Sequence, residues 1–116
     1  MPFARLMPGG RVHYAERGEP RAGIPPVLLV HGAGASSAIW MMTMARVARR
    51  TRVVAIDLPG HGPSPLPDGG VALSSIGTYR DAVGGLAATL CLGPSVLVGH
   101  SMGALVAIEA ALAWPD

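Results

Sequence analysis

Three short runs in this chain, Val27–Val30, Val53–Ile56 and Val96–Val98, are apolar without interruption. Successive side chains of a strand point to opposite faces of its sheet. A strand can therefore be apolar throughout only where both faces are covered, which is the condition of a parallel sheet flanked by helices. The sequence between the runs supplies those helices. Trp40, Met44 and Val47 recur at helical spacing behind Ser36 or Ser37 as the N-cap. Ile76, Tyr79, Val83, Leu86 and Leu90 share one helical face, with Ser74 or Ser75 as the cap and Gly93-Pro94 as the stop. A third apolar helical stretch follows Gly99 and reaches Trp114. Two early segments, "FARLM" and "RVHYAE", bracket the turn signal "PGG" and read as an antiparallel hairpin. The order hairpin, strand, helix, strand, helix, strand, helix predicts an α/β fold with a mostly parallel sheet and flanking helices. Residues 1–116 are expected to form part or all of one domain.

Half of the residues are hydrophobic and 14% are charged, ample for a core and far from a disordered composition. All nine basic residues are Arg, and the net charge is only +2. The one basic cluster, Arg46, Arg49, Arg50 and Arg52, suits a solvated helix end. No aromatic residue interleaves with it, so no nucleic-acid partner is expected. The single Cys91 sits in an apolar helical stretch and is expected to be a buried structural thiol. No apolar run reaches the roughly 18 residues that a membrane span needs, and no apolar signal-like region opens the chain. The expectation is a cytoplasmic protein with no membrane partner. No histidine has metal-ligand spacing with another His, Cys or carboxylate, so no metal is implied.

Two glycine-rich sites compete for the chemistry. In "HGAGASS", Gly32, Gly34 and Ser37 stand where a dinucleotide fingerprint keeps three glycines, and Asp57 ends the next strand, near the place of a ribose-binding acid. That reading would make the chain an NAD(P)-binding domain. It replaces the third glycine by Ser37 and leaves the second site unexplained.

The second site is Gly99-His100-Ser101-Met102-Gly103, on an expected strand–turn–helix junction. A serine hydroxyl is a poor nucleophile unless a base can reach it and developing negative charge is stabilised. A sharp turn there lifts Ser101 above the sheet edge, at a helix N-terminus whose N–H groups and dipole favour an anion. Such a turn strains the serine backbone and brings strand and helix together, so Gly99 and Gly103 fit by lacking side chains. A tetrahedral oxyanion needs two converging N–H donors. Met102, after the serine, offers one. If Val27–Val30 and Val96–Val98 are neighbouring strands, their ends lie about 4.8 Å apart. The loop "HGAG" then faces the serine, with Ala33 as the second donor and Gly32 and Gly34 allowing the backbone to turn inward.

These segments resemble the α/β-hydrolase fold family. "VLLVHGAGASSAIW", "RVVAIDLPGHGPS" and "LVGHSMGALVAIEAA" are similar to its His-Gly oxyanion loop, its Asp-x-x-Gly-x-Gly-x-Ser segment and its nucleophile elbow, in family order. The resemblance runs from about Arg11 onward; Ala104 departs from it, where many relatives have a second glycine. It implies Ser101 as nucleophile, Met102 and Ala33 as the oxyanion hole, and no cofactor. It also implies a serine hydrolase acting through an acyl-enzyme on a small-molecule ester or related carboxyl derivative. A protein that keeps the elbow without catalysis is the remaining alternative.

In the family the acid and the histidine follow the nucleophile. After Ser101 this chain has Glu109 and Asp116 and no histidine. His31 is expected to orient the oxyanion loop, His61 to lie in a Pro-Gly loop, His13 on the hairpin, and His100 to point away from the reacting centre. Asp57 and Glu109 are expected to serve a turn and a helix surface. The expectation is therefore the N-terminal half of a hydrolase, inactive by itself for want of the acid, the histidine and a cap region. Its last strand would present an open apolar edge through which the chain self-associates.

Overall fold

Alternation along two strands decides the layering. Leu28 and Val30, with Val54 and Ile56, pack on one face, while Leu29 packs with Val53 and Ala55 on the other. All seven are at most 1% exposed, so the sheet is covered on both sides. The structure, a computed structural model, describes residues 3–5, 11–64 and 76–115. Strands β1 (Phe3–Arg5), β2 (Arg11–Arg17), β3 (Val27–Val30), β4 (Val53–Ile56) and β5 (Val96–Gly99) form a sheet in the order β1-β2-β4-β3-β5. Strand β3 pairs in parallel with both β4 and β5, and the β1–β2 hairpin is antiparallel, with β2 antiparallel to β4.

A 3-10 turn, Ser37–Trp40, is capped by the Ser36 hydroxyl, which accepts from the Ala38 N–H, and leads into helix α1 (Met41–Val47). Met44 of α1 fills the smaller core with Trp40 and Val47 beside it. Helices α2 (Ile76–Thr89) and α3 (Met102–Ala113) cover the other face, through Tyr79, Val83 and Leu86 of the first and Val106 and Ala110 of the second. The apolar strands and the helices thus fall in the order that their patterns require. The turn "PGG" and the Ser74 and Ser75 caps lie outside the described residues.

Cys91 departs from expectation: it is exposed. Helix α2 unwinds after Thr89, and Cys91 takes a left-handed conformation at φ +54°, the position that commonly ends a helix. The reversal turns its thiol outward and sends the next residue, Leu92, into the core. Glu109 is exposed on α3, as expected.

Candidate active site

Parallel pairing brings three loops to one edge of the sheet. In register, Val30 lies beside both Ile56 and Gly99. The residues that leave β3, β4 and β5 therefore emerge side by side, and His100 N–H donates to Val30 O at 3.1 Å.

Ser101 stands between β5 and α3 with φ +58° and ψ −121°. A left-handed φ is costly for a residue with a Cβ and persists where the surroundings enforce it. Two glycines enforce it here by steric means. A Cβ on Gly99 would lie 2.2 Å from Gly103 O and 2.6 Å from the Cα of Ala104. One on Gly103 would lie 2.3 Å from Val30 O and 2.5 Å from His31 O. Gly99 thus lets the strand meet the first turn of its own helix, and Gly103 lets that helix meet the end of β3. Ser101 itself is exposed, and its hydroxyl makes no hydrogen bond with a described residue.

Residues 31–37 face this turn. A Cβ on Gly32 would lie 3.1 Å from the Ser101 Cβ and 3.6 Å from its Oγ, so a side chain there would crowd the hydroxyl. Gly34 serves differently: it has open space around it but a φ of +75°, which a glycine adopts without strain. The N–H groups of Ala33 and Met102 donate to no described residue.

The loop rests on a buried polar cluster. His31 is fully buried; its Nδ1 donates to Gly32 O at 2.7 Å and its Nε2 accepts from Leu58 N–H at 3.0 Å. Burial lowers its pKa below the ordinary histidine value, helped by the neighbouring His61, while the Gly32 carbonyl and the Asp57 charge oppose the shift. The ring of His61 lies 5.0 Å from that of His31 and 5.8 Å from that of Tyr79. His61 thus lies in the Pro-Gly loop, and the His31 ring contacts the backbone of the glycine-rich loop at Gly32.

Asp57 is not simply a turn residue, and it is not free to meet a ribose. It is fully buried, accepts Ser37 N–H and Ser37 Oγ at 2.7 and 2.8 Å, and lies 2.6 Å from His13 Nδ1. Ser64 ties the same place to β2: its hydroxyl donates to Asp57 O at 2.5 Å and accepts His13 N–H at 2.8 Å. Gly62 closes over the carboxylate, with room for a Cβ only 2.7 Å from Oδ1. Ser37 and Asp57, two of the residues that suggested a dinucleotide site, are therefore spent on each other. Sequence reasoning missed the partnership of Asp57 with His13. Its one signal was an acid ending an otherwise apolar strand, where burial demands a partner.

The comparisons with known proteins agree with this geometry. Residues 27–115 match the Alpha/beta hydrolase family. The chain is 38% identical to a 2-(acetamidomethylene)succinate hydrolase of Mesorhizobium japonicum over 79% of its own length and 32% of the relative's. It is 41% identical to a pimeloyl-[acyl-carrier protein] methyl ester esterase of Methylococcus capsulatus, over 78% of its own length and 33% of the relative's. The crystal structure of the enol-lactonase from Burkholderia xenovorans superposes with a TM-score of 0.87 at 30% identity, covering 99% of this chain and 43% of that one. The chain thus spans about a third of the length of the curated relatives it matches. The family match over most of its residues, on a sheet and elbow of this geometry, makes the chain a member of the alpha/beta hydrolase family.

Proposed function

We propose that this chain carries the nucleophile and oxyanion hole of a serine hydrolase acting on a small-molecule ester or related carboxyl derivative. The observation that carries the reading is Ser101: an exposed hydroxyl, unpaired among the described residues, on a left-handed residue at the N-terminus of a helix. In this reading Ser101 Oγ attacks the carbonyl carbon and its proton passes to a base. The carbonyl oxygen becomes an anion, received by the N–H groups of Met102 and Ala33 and favoured by the dipole of α3. Collapse expels the alcohol and leaves an acyl-enzyme, which water hydrolyses. The names of the relatives, a methyl ester esterase and an enol-lactonase among them, support this substrate class.

No histidine follows Ser101. Of the four before it, three are engaged elsewhere: His31 through both nitrogens, His13 through Asp57, and His61 through Pro59 O at 3.1 Å. The reading leaves the exposed His100, expected to point away from the reacting centre, out of the chemistry. The reading therefore takes the base and its acid from sequence beyond residue 116 and expects negligible turnover from residues 1–116 alone. The test uses a chain extended through that acid and histidine. A serine-directed phosphonate should label Ser101, and Ser101→Ala should lower turnover by several orders of magnitude. Near-normal turnover by a folded Ser101→Ala protein sinks the assignment.

A further inference from the structure

The loop from His31 to Ser37 is held at both ends by one dipeptide, Asp57-Leu58. At the near end Leu58 N–H donates to His31 Nε2, so the ring proton sits on Nδ1, which donates to Gly32 O. Ala35 N–H donates to the same carbonyl at 3.2 Å. At the far end Ser37 gives both its N–H and its hydroxyl to the buried Asp57 carboxylate. A trans peptide is planar, with its C=O and its N–H pointing in opposite directions. Fixing the Gly32 carbonyl therefore fixes the direction of the Ala33 N–H.

We infer that Asp57 is a positioning residue: through Ser37 it closes the far end of the loop whose near end His31 holds, and the two anchors together aim the Ala33 N–H at the space beside Ser101. This rests on the oxyanion role proposed for Ala33. A carboxylate suits the task because hydrogen bonds to an ionised acceptor are stronger than neutral ones. An apolar residue there would leave the Ser37 N–H buried and unpaired. His13 approaches Oδ2 from β2, so the far anchor is itself fastened to the sheet.

The test compares Ser37→Ala, which removes one donor, with Asp57→Asn, which sets an amide NH2 against groups that now donate. Both are made in the extended enzyme, with rates normalised to Ser101 sites titrated by the phosphonate. A displaced Ala33 N–H weakens the transition state and spares the bound ester, so kcat per titrated site should fall about tenfold or more. KM should stay within about twofold. A purely stabilising role would instead reduce the number of titrated sites and leave kcat per site alone. A kcat per site within about twofold of wild type in both variants overturns the inference. Amide exchange judges the anchors apart from catalysis. The Ser37 and Leu58 amides should exchange slowly in wild type, and the residue 37 amide about tenfold faster or more in either variant. Unchanged exchange in both variants overturns the clamp whether or not Ser101 reacts. Failure of the phosphonate to label wild-type Ser101 counts against the hydrolase reading alone.

Discussion

Gly103 occupies a place where even a methyl group has no room, because the atoms it would meet are the backbone carbonyls of Val30 and His31, at the end of β3, and cannot swing aside. Gly103→Val should therefore push α3 off the sheet, at a cost of about 1–3 kcal/mol in unfolding free energy. It should also misplace Ser101, which follows from the same close approach. Urea unfolding checks the first effect; equal stability for the variant would mean that helix and strand do not approach so closely. His31 makes a prediction of the opposite kind, about a proton. Burial favours its neutral form, and Nε2 must stay unprotonated to accept the Leu58 N–H. The unfolded chain binds that proton near pH 6.5 and the folded chain only at lower pH. Its stabilising contribution is thus complete above about pH 6.5 and is lost as pH falls through the window between the two values. The ring should titrate below pH 6.5 by NMR, and a midpoint at or above that value contradicts the burial argument.

Helix α2 contains Gly84 and Gly85, each of which weakens a helix by up to about 1 kcal/mol relative to alanine. The structure gives Gly84 a purpose. The Trp114 indole from the end of α3 lies across it, so an added Cβ would sit 2.5 Å from two ring carbons. Gly84→Ala should lift the indole away. The better helix propensity of alanine then offsets the poorer packing of the indole, so that stability shifts by no more than about 1 kcal/mol. Trp114 fluorescence should move to the red. Trp40→Phe isolates that signal without losing a bond to any described residue, because the buried Trp40 Nε1 has no hydrogen-bond partner among them. Unchanged emission would show that the indole does not lie on Gly84. At this scale the sequence was readable wherever a pattern repeats within one element: β3 and β4 from their unbroken apolar runs, α2 from the spacing of Tyr79, Val83 and Leu86. The elbow was readable because Gly99, Ser101 and Gly103 lie within one turn. What depends on pairing between distant segments was not. His13 reaches Asp57 because Tyr14 stands opposite Ile56, a register that the hairpin sequence does not reveal. Cys91 was misread because its apolar neighbours suggested a helix that ends just before it.

The sheet as a whole is asymmetric. Its β1–β2 side is an antiparallel hairpin, while its other side ends on β5, the strand that delivers Ser101. Val96 and Val98 of that strand are 45% and 36% exposed, although their type belongs in a sheet interior. Helix α3, which follows it, buries Val106 and Ala110 but leaves Leu105, Ile108 and Leu112 more than half exposed. Beside them, Leu28, Val83, Ala87, Leu97 and Trp114 line an apolar groove between α2, α3 and β5. An exposed apolar edge strand offers a row of unpaired backbone groups to any other chain, and contiguous apolar surface favours association. A polypeptide of these 116 residues should therefore be marginally stable and should associate in solution. Sedimentation velocity should show species heavier than a monomer, increasing with concentration. A charge on the edge is a common natural remedy for such pairing, so Val98→Lys should shift the distribution toward monomer. A soluble monomer that unfolds cooperatively well above room temperature would show that the β5 edge and the outer face of α3 need no covering.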